Sequence, residues 1–122
     1  MKDQYLEKII KSLKEAHTII DDILKNPVDK KNLDLKFWIL RERIEYSSAI
    51  LSILNDLADF YPDLSTIPPE KDPRINLKQV RDNVEHALHH VLDNPRFAYE
   101  NLKAASLHLE RIKKGRSRAT RT

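Results

Sequence analysis

Apolar residues recur at helical spacing along most of the chain, and the breaks between them divide it into four helices. The first is expected from about Asp3 to Leu24. It carries Leu6, Ile9, Ile10, Leu13, Ala16, Ile20, Ile23 and Leu24 on one face, with Lys8, Lys11, Lys14, Glu15, Asp21 and Asp22 outside. Asn26-Pro27 ends it, because proline disfavours a helical residue before itself yet suits the first position of the next helix. The second helix is expected over Leu35 to Tyr61, with a cap at Asn26 or Asn32, and no charge falls between Tyr46 and Asn55. It shows two apolar rows: Phe37, Leu40, Ile44, Leu51, Leu54 and Ala58, then Tyr46, Ile50, Ile53, Leu57 and Phe60. Only Glu45, Ser48, Ser52, Asn55 and Asp59 form a polar stripe, and Trp38 and Ile39 lie outside the first row. Each Leu, Ile or Phe fully buried gains roughly 1.5 to 3 kcal/mol, so both rows call for partners. One row faces the rest of the chain, and the other predicts self-association or a protein partner through helix 2.

From Pro62 to Pro73 the chain holds Pro62, Pro68, Pro69 and Pro73, which no helix survives. A third helix can start at Asp72-Pro73 or at the capping-box-like Asn76-x-x-Gln79, and its stripe is Leu77, Val80, Val84, Ala87, Leu88, Val91 and Leu92. Asn94-Pro95 opens the fourth, with Ala98, Leu102, Ala105, Leu109 and Ile112 inward. Gly115, the single glycine, stands where a left-handed cap belongs. The fold expected is all-α: a four-helix bundle, mostly antiparallel, with a long central second helix and a Pro-rich connection between helices 2 and 3. Residues 1–115 form one domain, and 116–122 a basic disordered tail. The direction of helix 3 relative to helix 2 stays open.

Composition narrows the chemistry. With no cysteine among 122 residues, a disulfide framework, a thiolate zinc site and a cysteine nucleophile are all excluded. One glycine excludes a Gly-rich phosphate loop. The start, Met1-Lys2-Asp3-Gln4-Tyr5, is too charged for a secretory signal, and no apolar run has membrane-spanning length, so a cytoplasmic protein is expected. The net charge of +3 is concentrated at one end: Arg111, Lys113, Lys114, Arg116, Arg118 and Arg121 stand there without an acid. These six groups offer salt-sensitive, sequence-independent contacts to RNA or DNA, and they equally suit a helix C-terminus.

Helix 3 holds the densest run of chemically capable side chains, Arg81-Asp82-Asn83-Val84-Glu85-His86-Ala87-Leu88-His89-His90. His86 and His90 are four apart and share a helix face, which makes them candidate metal ligands, with His17 and His108 as third ligands if the bundle brings them near. The plainer reading is a solvated face of i,i+4 pairs, Glu85 with His89, Asp82 with His86 and Arg81 with Glu85. Neither a His-Glu-x-x-His nor a Glu-x-x-His pair occurs, so no metal cofactor is expected.

Arg81, the polar Asp82 after it, and His86 also resemble the Arg-x4-6-His signature of the HEPN superfamily, small all-α domains of which many are dimeric ribonucleases. The resemblance covers six residues, and Leu88 stands where many members carry an aromatic. It implies that Arg81 would stabilise phosphate charge and His86 would move a proton, in a metal-independent cleavage of RNA at a two-subunit cleft. Ser47, Ser48 and Ser52 read as small packing residues that bond back to the backbone. The leading functional expectation is a non-catalytic, self-associating interaction module whose basic tail touches nucleic acid. The alternative is a HEPN-like ribonuclease using Arg81 and His86.

Overall fold

The computed structural model describes residues 2–26 and 29–120, with side chains over 3–26 and 29–114. Among the described residues there are four α-helices and no strand: α1 (Lys2–Lys25), α2 (Lys30–Leu54), α3 (Pro73–His90) and α4 (Pro95–Thr120). Side-chain oxygens take up the free N–H groups at three of the starts. Asp29, rather than Asn26 or Asn32, caps α2 by accepting from the Asn32 N–H at 2.8 Å. Asn26 instead closes α1, its N–H on the Asp22 carbonyl and its amide on the Asp22 carboxylate. Asp72 accepts from the Arg74 N–H at 2.9 Å with Pro73 in the first turn, so α3 starts there and Asn76 lies inside it. Asn94 accepts from the Phe97 N–H at 3.2 Å ahead of α4.

Ion pairs and hydrogen bonds between the helices fix their directions. Asp22 pairs with Lys36 and Glu15 with Arg43, so α2 runs against α1. His17 meets Glu85 and Asp21 meets Arg81, so α3 also runs against α1. His108 meets Asn76, and His90 packs on Phe97, so α4 runs against α3. The packed pairs are α1 with α2, α1 with α3, α2 with α4 and α3 with α4. The helices therefore stand at four corners, with α1 diagonal to α4 and α2 diagonal to α3. All neighbours are antiparallel, and the diagonal partners α2 and α3 are parallel. Residues 55–72 must accordingly return along the bundle from one end to the other.

The core runs through all four helices: Ile9, Leu13, Ala16 and Ile20 of α1, Leu40, Ile44 and Leu51 of α2, Leu77, Val80, Val84 and Ala87 of α3, and Ala98, Leu102, Ala105, Leu109 and Ile112 of α4. Of the expected stripes of α1, α3 and α4, Leu6, Ile10, Ile23, Leu24 and Leu88 pack half-buried at the edge of this core, Val91 is buried just past the end of α3, and Leu92 is exposed there.

Helix 2 differs from its expectation at its C-terminus. It stops at Leu54, not near Tyr61. Asp56 turns to φ 54°, the Asn55 N–H bonds to the Leu51 carbonyl, and the Leu57 N–H reaches back to the Ser52 carbonyl at 2.9 Å. This is a Schellman termination with aspartate in the left-handed position. It turns Leu57 into the core and lets Phe60 lie against Tyr99 at 6.1 Å, with the Arg96 guanidinium 4.1 Å over its ring. The second apolar row is thus divided. Leu57 and Phe60 pack from the connection, while Tyr46 and Ile53 stay on the outside of α2.

At the other end of the chain, α4 continues through Gly115 to Thr120, and no described glycine has a positive φ. Gly115 is therefore not the left-handed cap expected of it. Arg121 and Thr122 lie outside the described residues, as do the side chains of Arg116 and Arg118.

Candidate functional site

The polar run on α3 divides between two neighbours. Arg81 and Glu85, one turn apart, look toward α1. Arg81 Nη1 lies 3.4 Å from Asp21 Oδ1, and Glu85 Oε1 lies 2.8 Å from His17 Nε2. His17 Nδ1 stands 3.3 Å from the other Asp21 oxygen, which closes a chain of contacts from Arg81 through Asp21 and His17 to Glu85. Each of these side chains is partly open to solvent, on the flank between α1 and α3. The contacts join α1 to α3, so the arrangement acts as an inter-helix tie. Surface contacts of this kind are each worth about 0 to 1 kcal/mol and serve register more than stability.

His86 and His90 turn the other way, toward α4. Phe97 packs against both, with ring centroids 6.2 Å from His86 and 5.0 Å from His90, and His90 Nδ1 bonds to Asp93 at 3.0 Å. Arg81 and His86 are therefore directed at different helices within one chain. His17 is bound up with Glu85, and His108 is buried with Asn76, so neither joins His86 and His90. Among the described residues no three His, Asp or Glu side chains come together in a way that could hold a metal ion.

A second polar group, between α3, α4 and the connection, is buried. Asn76 donates from Nδ2 to the Glu70 carbonyl at 2.9 Å and the Asp72 carbonyl at 3.3 Å, leaving Oδ1 to face His108 Nδ1 at 3.2 Å. That orientation places the imidazole proton on Nδ1. Burial, reinforced by the nearby Arg111 charge, pushes the His108 pKa below its ordinary value and keeps the ring neutral. The signal for this pair was in the sequence: both residues fall in register with the apolar stripes, Asn76 one turn before Val80 and His108 one turn before Ile112.

Arg111, one of the six basic groups expected to meet nucleic acid, is held by the connection. Its guanidinium donates to the Pro68 carbonyl at 2.9 Å and the Ile67 carbonyl at 3.4 Å. Lys113 and Lys114 are exposed. The connection and α4 also border an open cleft of about 340 Å³, lined by Pro62, Asp63, Leu64, Ile67, Phe97, Glu100 and Asn101. The Asp63 carboxylate there accepts from the Ser65 hydroxyl and N–H, which hold its pKa below the usual carboxylate range.

The most distinctive surface is the outer face of α2. Leu40, Ile44, Ser47, Ser48 and Leu51 point into the core, and half a turn away stand Leu35, Trp38, Tyr46 and Ile53, 54, 56, 43 and 81% exposed. These large apolar side chains recur along the outer side of α2, with the exposed Glu42 between Trp38 and Tyr46, and exposed apolar groups gathered on one helix face are of the kind that marks interaction sites. Two serines take core positions while Trp38 and Ile53 face water, an inversion that makes α2 apolar on opposite sides. No helix among the described residues is long and apolar enough to cross a membrane.

Comparison of the chain with models of known protein families, with curated proteins and with solved structures finds no match in any of the three.

Proposed function

We propose that this protein is a non-catalytic helical interaction module that self-associates through the outer face of α2. The observation that carries the reading is the aligned exposure of Leu35, Trp38, Tyr46 and Ile53 opposite the core face of the same helix. Trp38 is the single tryptophan and reports on that face directly. Sedimentation velocity over a concentration series is expected to show a reversible dimer, with a blue shift of Trp38 emission on the same concentration scale. Trp38→Glu and Ile53→Glu are expected to leave the helical signal unchanged and to hold the chain monomeric. A wild-type chain that stays monomeric into the high micromolar range, with no Trp38 shift, overturns the proposal.

The basic end of α4 is proposed to contact nucleic acid, supported by the exposure of Lys113 and Lys114. Its signature is RNA affinity that falls steeply with salt and drops on truncation after Gly115 combined with Lys113→Glu and Lys114→Glu. RNA binding unaffected by those changes sinks it. Arg111 is left out of this surface because its donors serve the connection. A ribonuclease reading fares worse beside an α2-mediated dimer. The α3 helices lie diagonal to α2 in each copy, so such a dimer holds the two sets of Arg81 and His86 at far corners.

A further inference from the structure

We propose that the occupant of the α2 outer face is a second copy of this chain laid antiparallel across it, with a twofold axis level with Ile44. This rests on the self-association reading above and specifies its geometry. A twofold interface requires a surface that complements itself, with each residue i meeting a residue j whose own copy meets i. The outer positions of α2 satisfy this. When one helix is reversed on another about Ile44, Leu35 comes opposite Ile53 and Glu42 opposite Tyr46, while Trp38 comes level with Ile50, which is half-buried against its own core at the edge of the face. The exposed positions 35, 42, 46 and 53 are exchanged among themselves by this operation, and the exposed positions 38 and 49 are carried onto the half-buried 50 and 39 at the flanks of the face. The small side chain of Ala49 falls opposite Ile39, beside Trp38, where room for an indole is needed.

The polar groups favour the same orientation. Glu42 and Tyr46 are both exposed and have no bonding partner among the described residues. Reversal gives the Glu42 carboxylate a phenol donor from the partner's Tyr46. A parallel pairing would set Glu42 against Glu42, like charges brought together on partial desolvation. Lys31, one turn before Leu35, comes near the partner's helix end, where Asp56 and Asp59 are exposed. The antiparallel arrangement also opposes the helix dipoles.

The absence of native cysteine makes the geometry directly testable by cross-linking of the full chain. In the proposed dimer position 35 lies beside position 53 of the other copy, whereas the two copies of position 35 are about 27 Å apart at roughly 1.5 Å per residue. A disulfide needs Cα atoms within about 7 Å. Leu35→Cys/Ile53→Cys is therefore expected to pass largely into covalent dimer under mild oxidation, while Leu35→Cys alone stays monomeric on a non-reducing gel. These are exposed positions, and an unchanged melting temperature in reductant checks that the fold is retained. Ready cross-linking of Leu35→Cys alone would mean a parallel pairing and overturns the proposal. A dimer in sedimentation without cross-linking of the double variant overturns the antiparallel α2 geometry but leaves self-association standing. A monomer at all concentrations removes both.

Discussion

Ser47 lies fully buried on the core face of α2 with its hydroxyl unbonded among the described residues, while its neighbour Ser48 donates to the Glu45 carbonyl at 3.0 Å. An unsatisfied buried hydroxyl costs about 1 to 3 kcal/mol, so Ser47→Ala is expected to raise the unfolding free energy by about 1 kcal/mol in denaturant titration. His108 gives a pH dependence. Its pKa is lowered in the folded state by burial and by Arg111, so the unfolded chain takes up a proton that the folded chain refuses. The stability due to the neutral ring is complete above the unfolded histidine value, about 6.5, and is lost as the pH falls through it toward the lower folded value. Melting temperature measured from pH 7.5 down to 5.5 should therefore fall less in His108→Gln, which can keep a donor toward Asn76, than in the wild type. The buried His108–Asn76 pair was legible only as two polar residues standing in apolar register. The flank tie between His17, Asp21, Arg81 and Glu85 was not legible, because which helix lies beside α3 is a tertiary fact. The i,i+4 pairing of Arg81 with Glu85 gave way to two longer-range contacts with α1.

At the level of elements, the termination of α2 shows where periodicity misleads. Leu57 and Phe60 fall at helical spacing from Ile50 and Ile53, and the residue at the break is aspartate instead of the glycine that signals a left-handed cap. The backbone still turns at Asp56, where a non-glycine residue at positive φ costs roughly 1 to 2 kcal/mol. Asp56→Gly should recover part of this, about 1 kcal/mol less the entropy glycine loses on folding, seen as a raised denaturation midpoint. Gly115 misleads in the opposite sense, since α4 runs straight through it. The connection after α2 is an ordered strap, tied by Asn76 to the carbonyls of Glu70 and Asp72 and by Arg111 to those of Ile67 and Pro68. Arg111→Ala is expected to cost about 1 kcal/mol and, more tellingly, to speed proteolysis within 62–69 while leaving the helices resistant.

For the whole molecule, the class and the number of helices followed from punctuation and periodicity: Asp72-Pro73 and Asn94-Pro95 mark starts that the structure uses. Their order around the bundle did not follow, because a connection as long as 55–72 can reach a neighbouring corner or the diagonal one that it takes here. The outcome, with α2 and α3 parallel across a diagonal, makes each half of the chain a complete hairpin, α1 with α2 and α3 with α4. The covalent seam between those halves crosses exposed Ser65 and Thr66. Cutting it there would leave Leu57 and Phe60 with the first half and the segment gripped by Arg111 with the second, so each piece would keep what it needs to find the other. A specific protease site introduced between Ser65 and Thr66 should yield, on cleavage, a nicked protein that elutes as one species with its helical signal intact. Expressed separately, the two pieces should reassemble on mixing, which would make this bundle a two-part protein that happens to be encoded as one chain.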